Sequence, residues 1–197
     1  MRINSATAML LGGSLILAAS FVVAQQNSGT NAATSVQNQA MSEQTMQHVK
    51  EEVRHQLILL PYYGVFDNLS YQVSPDRTVT LQGQVSRPTL KADAGRVVKN
   101  IEGVESVNNQ IKVLPTSPMD DQIRMATYRA IYGNTTLSPY ALRAVPPIHI
   151  IVDNGHVTLE GVVARQMDSQ IAETQAKGVP GVFSVTNNLR VEQQPGN

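Results

Sequence analysis

The chain repeats itself at a constant offset of 78 positions. Val79-Thr80-Leu81-Gln82-Gly83 returns as Val157-Thr158-Leu159-Glu160-Gly161, and Gly103-Val104-Glu105-Ser106-Val107-Asn108-Asn109 returns as Gly181-Val182-Phe183-Ser184-Val185-Thr186-Asn187. Between these blocks Val85, Arg87, Ala94 and Lys99 meet Val163, Arg165, Ala172 and Lys177 without a gap. The fold is therefore a pair of like units, and not one domain with a single continuous core. A unit of roughly 70 residues buries only about 60% of its unfolded surface and is marginal alone. The copies are expected to pack on each other or on copies from another chain.

Within the first copy Met46, Val49, Val53, Leu57 and Leu60 recur at helical spacing behind an N-cap at Ser42, and Pro61 ends the run. Leu69, Tyr71 and Val73 alternate as a half-buried strand. Val79, Leu81, Gly83 and Val85 form its hairpin partner. Pro88 opens a helix whose apolar face is Leu90, Ala94, Val97, Val98 and Ile101, and a third strand carries Val107, Ile111 and Val113. The second copy repeats the order. Ser117 with Pro118, Asp120 and Asp121 starts a helix with Ile123, Ala126, Thr127, Ala130 and Ile131 as its stripe, and Asn154-Gly155 is a tight-hairpin signal. The expected class is α+β: two αββαβ modules, each a three-stranded mixed sheet with two helices on one face. The glycines at 83 and 161 predict a bulge or a close backbone approach, and those at 103 and 181 predict helix caps.

The first helices match through Tyr63-Gly64 and Tyr132-Gly133 at an offset of 69, against 78 for the later elements. The second copy therefore carries an insertion of nine residues within Asn134 to Pro147. A loop insertion is where a duplicated module most easily acquires a contact of its own.

Arg2 followed by an apolar centre at Met9 to Leu17 and by Val22 and Ala24 predicts a secretory leader over 1–24, cleaved after Ala24. An uncleaved anchor is the alternative, although Thr7, Gly12, Gly13, Ser14 and Ser20 dilute the run below what a spanning helix needs. Residues 25–41, polar and uncharged, read as a flexible tether. The remaining boundaries are a first domain at 42–114, a linker at 115–118, a second domain at 119–193 and a tail at 194–197.

The pattern Val-Thr-Leu-x-Gly-x-Val, a helix, then Gly-Val-x-Ser-Val-x-Asn and a final Ile-x-Val or Leu-x-Val strand resembles the BON domain, matched at roughly Ser42 to Leu114 and Met119 to Gln193. The resemblance implies a non-enzymatic module of the bacterial envelope, thought to bind phospholipid and associated with osmotic and envelope stress. The lipoprotein members carry a lipidated cysteine. This chain has no cysteine, so a membrane contact would be non-covalent, and the implied location is periplasmic.

The absence of cysteine also excludes disulfides and thiol chemistry. His48 and His55 stand seven apart, where zinc ligands on a helix favour three or four. His149 and His156 read as exposed sheet-face residues beside a turn. No nucleophile elbow or phosphate loop is present, so no catalytic residue, cofactor or metal is expected. A formal charge of zero gives no basic stripe for nucleic acid. The candidate lipid or partner contact is Arg124, Tyr128, Arg129, Tyr132, Tyr140, Leu142 and Arg143. Tyrosine and arginine join an apolar body to a polar tip and suit either a bilayer interface or a protein interface. The alternative for the tyrosines is that they complete the core. A basic side chain near an anionic membrane contributes about 1 kcal/mol, so the few here predict weak lipid affinity unless insertion or self-association adds to it. A protein-interaction adaptor on an envelope complex is the competing reading.

Overall fold

The computed structural model describes residues 43–192; the expected leader, tether, Ser42 cap and tail lie outside the described residues. The first module runs α1 (residues 43–58), β1 (Asn68–Val73), β2 (Thr78–Val85), α2 (Pro88–Lys99), β3 (Ser106–Asn109) and β4 (Lys112–Val113). The second runs α3 (Pro118–Tyr132), a 3-10 turn (Ser138–Leu142), β5 (Ile148–Asp153), β6 (His156–Val163), α4 (Gln166–Lys177) and β7 (Ser184–Val191). Each hairpin is antiparallel, and its second strand pairs in parallel with the strand that follows the second helix. The parallel pairing follows from the intervening helix, which carries the chain back along the sheet. In the first module the last strand is interrupted at Gln110 and Ile111, so β3 and β4 both lie beside β2.

Both cores sit between sheet and helices. The first joins Val49, Val53 and Leu57 of α1 to Val79, Leu81 and Val85 of β2 and Leu90, Ala94 and Val98 of α2. The second joins Ile123 and Ile131 to Ile148, Ile150, Val157 and Leu159, with Ala172 and Ala176 on α4. The alanines make α4 thinner than α2. Leu137, from the insertion, is wholly buried in this second core, where such a side chain contributes about 1.5–3 kcal/mol.

The repeated residues have physical explanations. At Gly83 and Gly161 φ is +118° and +125°, and an added Cβ would stand 2.0 Å from the Asn68 carbonyl oxygen and 1.9 Å from that of Pro147. Of the two expectations for these glycines the close backbone approach holds, while the strand register runs one to one through both without a bulge. Gly103 and Gly181 lie three residues beyond the helix ends at Asn100 and Gly178, in the turns that aim the last strands, so they do not cap the helices as expected. The repeated Asn109 and Asn187 tie the last strand to the second helix. Their amides donate to the carbonyls of Lys91 (2.7 Å) and Ser169 (3.2 Å), and their oxygens accept the N–H groups of Ile111 and Leu189. These bonds also occupy donors on what are otherwise open sheet edges.

The hairpins differ. Asn154 and Gly155 close theirs with positive φ at both positions, the two-residue turn their sequence predicts. In the first module Ser74 and Thr78 bracket Pro75-Asp76-Arg77, with Arg77 at φ 61°, a three-residue loop ending in a bulge.

The modules pack on each other along a seam. Residues 63–66, between α1 and β1, lie beside β5: Ile150 N–H donates to Val65 O at 2.7 Å. Val65 and Phe66 pack on the second core, and Lys112 pairs with Asp153 at 2.6 Å. His149 is half-buried there, 5.7 Å from the Tyr63 ring with Nδ1 3.3 Å from Gly64 O, so it is not the exposed residue its alternation implied.

Candidate functional site

Among the described residues three carboxylates are buried, and each is occupied by structural bonds. Asp67 accepts Ser86 N–H at 2.7 Å, Ser86 Oγ–H at 2.8 Å and Gly64 N–H at 3.2 Å. Asp120, on α3, accepts the N–H groups of Asn154 (3.0 Å) and Gly155 (2.8 Å) and so holds the hairpin turn. Asp168 accepts the Tyr140 hydroxyl (2.8 Å) and the Arg165 guanidinium (2.9 Å). Burial pushes the Asp168 carboxyl up, but these bonds and the arginine charge outweigh it and hold the group below its usual value. Among the described residues no group of three or more histidines or acids could hold a metal.

The seven residues of the expected contact surface divide. Arg124 is only 5% exposed; it donates to Val152 O at 2.8 Å and pairs with Asp121. Tyr132 is 6% exposed, donates to Ile148 O at 2.6 Å, and its phenol is pushed well up by burial. Tyr63 has the same relation to Leu69 in the first module, its phenol pushed up to about 12 by burial against the lowering effect of the Leu69 backbone. Arg124 and Tyr132 are therefore interior scaffold and not parts of an open contact face, because each secures the α3 helix to β5. Tyr140 is half-buried and accepts Ala164 N–H (2.8 Å) while donating to Asp168.

Four of the seven lie at the surface or its edge. Tyr128 is half-buried, stacked 4.9 Å from Tyr132 and edge-on to Phe66 at 6.2 Å. Arg129 and Arg143 are exposed, and Leu142 is 88% exposed. Tyr128 and Arg143 line an open cleft of about 380 Å³ at the seam, with Val65, Phe66, Met125 and Ala141. Val65, Phe66 and Met125 escaped the sequence reading. An apolar Val-Phe pair between a helix and a strand that already had their full stripes was the available signal.

Fold and site together define a duplicated αββαβ module whose shared asparagines and glycines serve the scaffold. The chain belongs to the BON domain family, whose model matches residues 47–115 and 121–193. It is 32% identical over 127 residues to osmotically-inducible protein Y of Escherichia coli (strain K12). That stretch is 59% of this chain and 58% of the relative, so the match spans little more than half of the curated protein. Among solved structures it is similar to CdsD, a structural protein of the Type III secretion system of Chlamydia trachomatis, at 12% identity and a TM-score of 0.29 over 75% of this chain and 94% of that one. The C-terminal domain of CdsD matches at 11% and 0.26, over 73% and 96%. No functional inference follows from structural similarity at that level.

Proposed function

We propose that this is an exported, non-catalytic envelope protein that associates with phospholipid surfaces through Tyr128, Arg129, Leu142 and Arg143 of its second module. The observation that carries the reading is the pairing of an almost fully exposed leucine with an unpaired neighbouring arginine at the mouth of an apolar cleft. A bilayer interface takes up that combination, apolar tip inward and cation at the headgroups. Saturation of the buried carboxylates by backbone and side-chain donors supports a role without acid–base catalysis. The osmotic induction in the name of the Escherichia coli relative supports a setting in the envelope under osmotic stress.

Flotation with zwitterionic and anionic vesicles across a salt series tests this. Salt-sensitive co-flotation with anionic vesicles is expected, and Leu142→Asp with Arg143→Glu should abolish it while leaving the thermal midpoint within about 2 °C, as surface changes do. Flotation that survives both substitutions removes the surface from consideration. Absence of flotation at every composition favours the adaptor reading, for which exposed Ile58, Leu59 and Tyr62 on the first module are the supporting feature.

A further inference from the structure

Arg87 and Arg165 are the same residue of the repeat, each the N-cap of its module's second helix. Arg165 pairs with Asp168. The position matching Asp168 in the first module is Leu90, buried in the core, so the duplicate arginine has lost its carboxylate. Arg87 instead lies over the Tyr62 ring, 5.0 Å from its centroid. Stacking fixes a guanidinium by its face and leaves the in-plane N–H groups free to donate. The α2 helix that begins here has no side-chain cap and no acid in its first turn, so its positive end is also uncompensated.

Arg87 lines a cavity of about 290 Å³ at the seam, with Ser86, Phe66, Thr116 of the inter-module linker, Asp121 and Arg124. Arg124 comes from the other module. It is 5% exposed, and its Nε is a buried donor without any hydrogen-bond partner. An orphaned buried charged donor is costly, and native structures rarely keep one without a reason. Two guanidinium groups from two modules, one lying over a tyrosine ring and one incompletely satisfied, line one small cavity. Asp121 cancels only one of the two charges.

The geometry points to an oxyanion site of the phosphate class between the modules, with Arg87 and Arg124 as its cationic ligands. A bound phosphate group accepts from the free edge of Arg87 and from the Arg124 guanidinium as that group turns from Asp121, and it touches the linker at Thr116. It therefore fastens the two modules together. The site is separate from the Tyr128 and Leu142 surface and does not depend on a membrane role for it.

The test uses the full ¹⁵N-labelled chain. Inorganic phosphate is titrated at constant ionic strength, with chloride as the control, while the Arg124 Nε–Hε signal and the amides of Ser86, Arg87 and Thr116 are followed. Saturable shifts with phosphate alone are expected. Arg87→Ala, an exposed position, should weaken binding by about tenfold or more, the effect of losing one charge-assisted partner. Asp121→Asn, which removes the opposing carboxylate, should tighten it. Dihexanoylphosphatidylglycerol below its micelle concentration supplies the second arm. Competition for the same shifts identifies a lipid phosphodiester as the ligand, and saturation by phosphate without competition identifies a free phosphate. Absence of saturable shifts with both probes overturns the proposal, as does binding that Arg87→Ala leaves unchanged.

Discussion

Tyr140 separates two roles that the same residue type can play, and Tyr140→Phe distinguishes them because it keeps the ring and removes only the hydroxyl. In the folded protein that hydroxyl accepts Ala164 N–H and donates to Asp168, each at 2.8 Å. The Ala164 amide is at an exposed site and rebonds to water, at a cost of about 0.5 kcal/mol. Asp168 is buried and loses a charge-assisted bond, which costs about 1.5–3 kcal/mol. The sum is about 2–3.5 kcal/mol, or about 4–14 °C in midpoint for a chain of this size. The pH dependence carries a second signature. The folded Asp168 pKa is depressed, so its contribution is present above the unfolded value and is lost as pH falls through the folded one. Removing the hydroxyl raises the folded pKa toward the unfolded value, so the variant should be most destabilised near neutrality and the difference should shrink in acid. Urea unfolding of both proteins at pH about 7 and about 3 measures this. A difference below about 0.5 kcal/mol at neutrality, or one equal at both pH values, would refute the assignment of Tyr140 to the scaffold.

Three further outcomes are expected. Gly161→Ala places a Cβ 1.9 Å from the Pro147 oxygen at φ +125°, so circular dichroism melts should show a loss beyond about 4 kcal/mol; a mild effect would mean that the two strands can move apart there. Asp120→Ala leaves the Asn154 and Gly155 donors unpaired, which costs about 2–4 kcal/mol, and amide exchange at Gly155 should rise in step. Burial pushes the His149 imidazole below its usual value despite the Gly64 carbonyl, Asp67 and Glu160, all of which favour the cation. The seam is therefore stable with the ring neutral and weakens as pH falls, so the Ile150 amide, bonded across it, should exchange faster in acid, and His149→Phe should flatten that dependence.

Element order and most core positions were legible because they rest on local periodicity. Val49, Val53 and Leu57 and the β2 residues Val79, Leu81 and Val85 follow 3.6- and 2-residue patterns and are buried. The Ser117 cap is also visible locally, and its Oγ accepts Asp120 N–H at 3.2 Å. Arg124 and Tyr132 were misplaced because a helix pattern records hydrophobicity and not hydrogen-bond partners, and both reach carbonyls of β5, 28 and 16 residues away. His149 failed for the same reason. Period-two alternation assigns it to the outer face of β5, but only the docking of residues 63–66 covers that face.

Comparison of the two copies separates scaffold from function more sharply than either copy alone. Bonds that recur, such as those of Asn109 and Asn187, are needed by any such module and carry no information about a ligand. Changed positions do. The amide after β2 is held by Asp67 in one module and by Tyr140 in the other, so the inserted segment has replaced an internal carboxylate with a residue that it brings from outside. A separate change, Leu90 where the second module has Asp168, leaves Arg87 without the acid that Arg165 retains, and the inserted segment carries exposed Leu142 and the cleft-lining Arg143. Two of these changed positions, Arg87 and Arg143, lie near residues 62–66, the strip by which the first module docks on the second. The proposed oxyanion site takes one arginine from each module, so on that proposal the docked pair, and not the single module, is the unit that binds.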